Sequence, residues 1–526
     1  MRLLRERALA LVCGLFALWA IAPIVVLIIR AHREGGTFGG AYAPLVPADQ
    51  YRYLAWIRDA GDHFLISNQF GFASSDHLYL HPMMALSGLL WRLGLSLQVA
   101  YLAWTPIAIG ALVGGFAAYV SRMLPGHGWS RPAALVLALL FFTPLLPLVD
   151  WGGLVDGLAA NQMVIVAGQG APYWQTWGYL PTALALGLMP LYFLGLERAL
   201  VERRGAGWTV AAGLAVSWLH PWAGLTLLIV TAAMTGWDRF ARRDLALVVP
   251  ALAVVSPLVY YWLLEGADPA WGLAQLQATL DPERPLWTLA AAFAPLAVLA
   301  AAGVRRPGSD IQERVSLLWP AAAVAVYLTL ARDGRLPALA GVTLPLAVLA
   351  VRGWNRLRLP RIAAVAALAA ATLPGMLYSA QTFRDTVRAH SVPYTIDDSE
   401  RAALKYLARA PEQGGVLSTS YLGTTVPAMT GRHAWVGYSS LVPGSSPRAR
   451  EADAFFDGTL PPTLARALVD RAGALYLLSD CRKRTGLEPI VGPLGFTRTS
   501  FGCASVYQSS RLRNTSSVSS AHNRWP

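Results

Sequence analysis

The chain has 526 residues, of which 55% are hydrophobic and only 14% charged, against about 25% charge in a typical soluble domain. With a mean hydropathy of +0.43 and apolar runs recurring along most of its length, it reads as a multi-span helical membrane protein. The same figures exclude a soluble enzyme, a barrel of short alternating strands and a disordered chain. The net charge of +13 comes almost wholly from Arg in short loops between apolar runs, which favours orientation of spans over nucleic-acid binding.

In chain order, Arg2, Arg5 and Arg7 precede an apolar run at about 8–29, too long for a signal segment. It reads as a retained span with the N-terminus in the cytoplasm. Further spans are expected at about 98–120, 132–149, 179–200, 244–264, 287–304, 315–331, 337–352 and 361–379. Leu80–Leu97 is interrupted by Pro82, Gly88, Arg92 and Gly94, and reads as a helix lying along the interface. Trp208–Trp237 should break at His220-Pro221, because a proline there removes a helix hydrogen bond. With these two readings Arg122/Arg131, Arg198/Arg203/Arg204, Arg239/Arg242/Arg243, Arg305/Arg306/Arg314 and Arg352/Arg356/Arg358/Arg361 all fall inside. The result is about eleven membrane helices, two of them short, in residues 1–379.

Four regions then face outward: loops at about 31–97 and 150–178, the Arg332–Arg335 turn, and everything after about 379. Residues 380–510 shift to a mixed composition with short apolar runs at Gly415–Ser418, Ala434–Gly437 and Ala474–Leu478. Helical stretches Pro447–Phe456 and Pro462–Ala472 lie between them, so this part reads as a small α/β domain. Residues 511–526 are Ser-rich and read as a disordered tail. Of the three cysteines, Cys13 lies in the first span, whereas Cys481 and Cys503 could pair in an oxidising compartment.

Chemistry can be sought in the outer regions. Asp49, in Pro47-Ala48-Asp49-Gln50-Tyr51-Arg52-Tyr53, is either a general base, a ligand for a divalent cation, or the N-cap of a helix at about 50–60. The same loop carries Arg52, Arg58, Asp59, Asp62, His63, Asp76, His77 and His81, either a solvated face or a polar acceptor groove. The three histidines lack the tight spacing of a helical metal motif. In the second loop Asp150 and Asp156 precede Tyr173, Trp174, Trp177 and Tyr179. Those aromatics are interface anchors or a surface for a sugar ring or isoprenoid chain. His220 is a helix break or a phosphate donor. Arg332 and Arg335 run against the orientation trend, and a guanidinium at that level suits a lipid phosphate as well as ordinary headgroups.

Together these features resemble the GT-C superfamily of integral-membrane glycosyltransferases that use polyprenyl-phosphate-linked sugars. The matched features are the retained first span, the outer loop opening on Pro47-Ala48-Asp49-Gln50-Tyr51, the interfacial Leu80–Leu97 and the break at His220-Pro221. Arg335-Leu336-Pro337 before a late span and the C-terminal outer domain with Thr430–Tyr438 and Phe455–Gly458 complete the set. The resemblance implies a mainly α, GT-C-like fold and inverting sugar transfer on the outer face of the cytoplasmic membrane, with Asp49 as general base. Arg335, Arg332 and His220 would hold the donor phosphate. Tyr51, Arg52, His81, Asp156, Trp174 and Trp177 would meet the sugar or a glycan, lipid or protein acceptor. Members that use a metal often pair acids in the first loop, whereas Gln50 follows Asp49 here. A divalent cation (Mg or Mn) stays open, with Asp49 as its ligand. The Trp-Trp-Asp motif of oligosaccharyltransferase catalytic subunits is absent, which argues against glycan transfer to asparagine. The rivals are a lipid-carrier transporter, which should carry repeats and mid-membrane acids, and a non-catalytic scaffold.

Overall fold

The computed structural model describes residues 2–510 except 45, 73–74, 127, 203, 238–244, 273–285, 306–307, 309, 330–335, 359, 390–391, 443–444 and 483–485. Arg332 and Arg335 therefore lie outside the described residues, as does the tail.

Apolar side chains cover both the inside and the outside of the helical body. On the first helix, Arg2–Arg33, the stripe Val12, Phe16, Ala20, Ile24, Leu27 and Ala31 is buried at spacings of four and three. Its other face exposes Leu11, Leu15, Leu18, Val25 and Val26. Ile362, Val365, Leu373 and Leu377 do the same on Arg361–Ala389. A buried apolar stripe opposite an exposed apolar one is stable only where lipid replaces water. Among the described residues seven helices are long and apolar enough to cross a membrane, and an eighth if the bent pair Ser130–Leu140 and Leu145–Trp151 is one span. The chain is a multi-pass membrane protein.

The elements largely follow the apolar runs. Trp208–Trp237 breaks at His220 into Ala206–Leu219 and Pro221–Trp237. Helices approach closely where they carry glycine: a Cβ on Gly303 would meet Leu349 O at 1.9 Å, and one on Gly353 would meet Leu299 O at 2.1 Å. Four readings are corrected. The interfacial helix is shorter, Pro82–Arg92, and turns at Gly94 into Leu97–Leu102. The second outer loop contains a helix of its own, Gly157–Gly170. The last membrane helix runs on to Ala389 instead of ending near 379. Ala434–Gly437 is not a strand of the sheet; Ala434 makes only isolated bridges to Phe70 and Val416.

The C-terminal part holds a four-stranded sheet. Val416–Ser418 runs parallel to Tyr476–Ser479, which pairs antiparallel with Ala504–Ser509, and Ala504–Ser509 in turn pairs antiparallel with Phe496–Phe501 at the edge. Cys481 and Cys503 are disulfide-bonded. This part is sewn onto the first loop. Thr37–Phe38 pairs antiparallel with Thr395–Ile396, and Gly71 N–H donates to Ala434 O at 2.8 Å. Arg58 donates to the carbonyls of Ala428 and Met429.

Candidate active site

The helix Pro47–His63 builds the site. Proline at its first position has no N–H to lose, and an acid in the first turn suits the partial positive charge there. Val46, not Asp49, occupies the cap position, and no side chain caps the helix. Asp49 therefore lies inside the first turn, its carboxylate turned to Arg52 and near the hydroxyls of Tyr438 and Tyr179 instead of capping the helix. Gln50 turns the other way: its Oε1 accepts the N–H groups of Tyr42 and Ala43, fixing the chain that enters the helix.

Asp49, Arg52, Tyr53 and Trp56 share one face at spacings of three and four. Asp49 Oδ1 is 3.6 Å from Arg52 Nη2. The Arg52 guanidinium lies over the rings of Tyr438 at 4.4 Å and Trp56 at 4.6 Å, and donates to the Tyr438 hydroxyl at 2.9 Å. Tyr438 comes from the C-terminal part, so the site is shared between the first loop and that part. Burial, and then the nearby Asp49 charge, push the Tyr438 hydroxyl up against the opposing pull of Arg52, so it stays a neutral donor.

Aromatic rings wall the same region. Tyr79 packs against Trp271 at 4.5 Å, Trp56 at 5.0 Å and Tyr261 at 6.0 Å. The loop carrying Tyr79 is held by the broken helix pair and its neighbour. Trp218 Nε1 donates to Leu80 O at 3.0 Å, and the Tyr260 hydroxyl to Leu78 O at 2.7 Å. His81 follows, buried. Burial and then the Arg52 charge hold its imidazole down to about 4, so it is neutral at pH 7.

Several polar atoms converge here without hydrogen-bond partners among the described residues. Asp49 Oδ1, Arg52 Nε, Trp56 Nε1, His81 Nδ1 and Trp271 Nε1 are all buried and have no hydrogen-bond partner. Each such group costs about 1–3 kcal/mol of lost solvation. Carboxylate, guanidinium, indole and imidazole groups between aromatic walls suit a polar, anionic ligand with a ring to stack.

The other candidates fall elsewhere. The Tyr51 hydroxyl donates to Pro393 O, anchoring the start of the C-terminal part. Asp156 caps the helix Gly157–Gly170, accepting Ala159 N–H at 2.7 Å. Trp174 and Trp177 are buried in an aromatic cluster with Phe142, Tyr173 and Trp19, and Trp177 Nε1 donates to Trp19 O. His220 Nδ1 accepts Ala223 N–H at 3.1 Å, capping the second half of the broken pair. Among the described residues no hydrogen bond, ion pair or ring contact joins His220 to Asp49 or Arg52. As for a metal, Asp49 belongs to no cluster of three donors among the described residues. Tyr438, Tyr79, Trp56 and Trp271 are site residues that the sequence reading passed over. Only Trp56 left a signal, its spacing from Asp49 and Arg52.

No protein-family model matches the chain, and no curated protein matches it in sequence. Solved structures do match in fold. The oligosaccharyltransferase AglB of Archaeoglobus fulgidus, solved with an inhibitory peptide and a dolichol-phosphate, has a TM-score of 0.51 at 15% identity. The match covers 96% of this chain and 74% of that one. The apo form of an Archaeoglobus fulgidus oligosaccharyltransferase gives 0.51 at 12% identity, with the same coverage. ArnT of Cupriavidus metallidurans bound to undecaprenyl phosphate aligns over 93% of this chain and 97% of its own, with a TM-score of 0.48 at 12% identity. The AglB likeness, spanning nearly the whole chain, agrees with the GT-C-like architecture that the sequence implies.

Proposed function

We propose that this protein transfers a sugar from a polyprenyl-phosphate carrier to an acceptor hydroxyl, with inversion, at the extracytoplasmic face of the cytoplasmic membrane. The observation that carries the reading is the buried Asp49–Arg52 pair, set among aromatic rings with unspent polar atoms, on a fold shared with AglB.

The chemistry asks for two things. The acceptor hydroxyl is a weak nucleophile until its proton is taken, and Asp49 Oδ1, paired with Arg52 at 3.6 Å but accepting no hydrogen bond among the described residues, is placed to take it. As the acceptor oxygen bonds to the anomeric carbon, the bond from that carbon to the phosphate oxygen breaks, and polyprenyl phosphate leaves with the electron pair. Its charge needs fixed cations in a site shielded from water. Arg52 is the described group best placed for this, held rigid between Tyr438 and Trp56 with Nε open. Arg335 and Arg332, which precede the late span in sequence, are proposed to add to it. Tyr79, Trp56 and Trp271 offer faces for the sugar ring. A Mg or Mn ion at Asp49 would need most of its ligands from substrate and solvent.

The test is to supply purified protein with a panel of polyprenyl-phosphate-linked sugars and acceptor glycans, lipids or peptides, and follow formation of free polyprenyl phosphate. Turnover with at least one donor, dependent on acceptor, is expected. Vesicle-to-vesicle movement of intact donor without bond cleavage would overturn the proposal in favour of a transporter.

A further inference from the structure

A second cluster lies at the far end of the same helix. Asp59 and His63 are four residues apart on its last turn and so share a face. The helix stops at Phe64, which adopts φ 68°, and the chain returns through an antiparallel bridge between Ile66 and Tyr79. That return brings His77 over the same carboxylate. His63 Nδ1 is 3.0 Å from Asp59 Oδ1, and His77 Nε2 is 3.2 Å from it. All three atoms lie within 4.8 Å of one another.

We propose that Asp59, His63 and His77 form a zinc site that ties the return loop to the end of the catalytic helix. A tetrahedral zinc ion with bonds of about 2.0–2.1 Å separates its ligand atoms by roughly 3.3 Å. Both distances to Asp59 Oδ1 are already close to that edge. The donor set of two imidazoles and one carboxylate suits zinc, with water as fourth ligand. Supporting groups are also present. Asp59 Oδ2 accepts the Ser67 N–H at 2.6 Å and its hydroxyl at 3.0 Å, which fixes the carboxylate and turns Oδ1 toward the imidazoles. Asp59 is buried at 2% exposure, whereas the His63 and His77 side chains are 53% and 39% exposed, leaving an open side for ion and water.

The ring centroids are 4.0 Å apart. Coordination of one tetrahedral ion by both rings needs the centroids about 5 Å apart, a small outward swing that the exposure of both rings permits. The consequence reaches the first site. The return loop carries Tyr79 and His81, and the helix carries Asp49 and Arg52, so a bond across their junction holds the walls in register.

The test uses full-length protein in detergent, stripped with a chelator and dialysed against zinc or cobalt(II). About one zinc per chain is expected by elemental analysis for the wild type and for Asp49→Asn, with the visible absorption of four-coordinate cobalt(II). His63→Ala/His77→Ala should bind at least roughly tenfold more weakly and lose that absorption. His77→Gln, at a half-exposed position, serves as the variant least able to disturb folding. Zinc should raise the unfolding midpoint of the wild type and not that of His77→Gln. Equal zinc and cobalt spectra in wild type and both histidine variants would overturn the proposal. So would a wild type that takes up no zinc, or loss of zinc in Asp49→Asn alone.

Discussion

The charged pairs at the two ends of the helical body differ in how closely they are matched. At one end, Arg122 makes a paired contact with Glu197, with Nε at 3.1 Å and Nη2 at 2.5 Å, and a third with Asp310 at 2.9 Å. Arg352 binds Glu313 and the carbonyl of Met123, both at 2.6 Å. These residues close the ends of four different helices, and their charges are matched at hydrogen-bond distance. At the other end, Asp49 and Arg52 are about as buried as Arg352 and Glu313, yet sit 3.6 Å apart without a hydrogen bond and leave polar atoms with no hydrogen-bond partner among the described residues. Saturated pairs hold helices in place. Unsaturated ones, which weaken the fold, persist where a ligand completes them. The same residue types therefore read as scaffold at one end and as site at the other.

Substitutions should separate the two ends. The largest effect is expected from Arg52→Lys, which keeps a charge but loses the planar group that lies over Tyr438 and Trp56. Turnover should fall by about 10²-fold or more, as on loss of a preorganised donor, with the unfolding midpoint little changed. A fall in stability with intact turnover would move Arg52 to the scaffold.

Next comes the disulfide, which spans 22 residues. Replacing Cys481 and Cys503 by Ser should cost about 3 kcal/mol in the chain-entropy picture, seen as a lower unfolding midpoint. Turnover at low temperature should change only a few-fold, because neither residue contacts the Asp49 site. Alkylation of unreduced protein should label Cys13 alone.

A pH effect follows in size. Burial pushes the Glu400 carboxyl up to about 7 from its ordinary 4.5, against the N–H groups of Cys481 and Asp397 that favour its charge. The folded state then holds this proton more tightly than the unfolded chain. The stability it contributes is complete below about 4.5 and is lost as pH rises through about 7. Unfolding midpoints should fall over that window and fall less in Glu400→Gln. Equal slopes in both proteins would remove Glu400 as the source.

The smallest effect is expected at the paired end. Glu197→Gln weakens a partly exposed ion pair and should cost about 1 kcal/mol with turnover unchanged.

The helical frame was legible because lipid demands long apolar runs, and His220-Pro221 broke its run as a proline must. Other features were hidden for physical reasons. Phe496–Phe501 is mostly exposed and lacks the alternation that marks a half-buried strand, while Ala434–Gly437 is apolar yet serves as a buried connector. In the site, the spacing of Asp49, Arg52 and Trp56 could be read from one helix. Tyr438, 386 residues from Arg52, could be placed only by folding. Trp174 and Trp177 are a reminder that an aromatic in an outer loop packs as readily as it binds. Asp49, read alone, fits a base, a cation ligand or a cap, and only the fold shows Val46 in the cap position.

The most direct measurement is a single-turnover comparison of wild type, Asp49→Asn and Glu197→Gln, following release of polyprenyl phosphate from a donor that the wild type accepts. Asp49→Asn should lose about 10²–10⁴-fold in rate while still binding donor, and Glu197→Gln should match the wild type. Equal rates in wild type and Asp49→Asn would contradict sugar transfer assisted by this carboxylate.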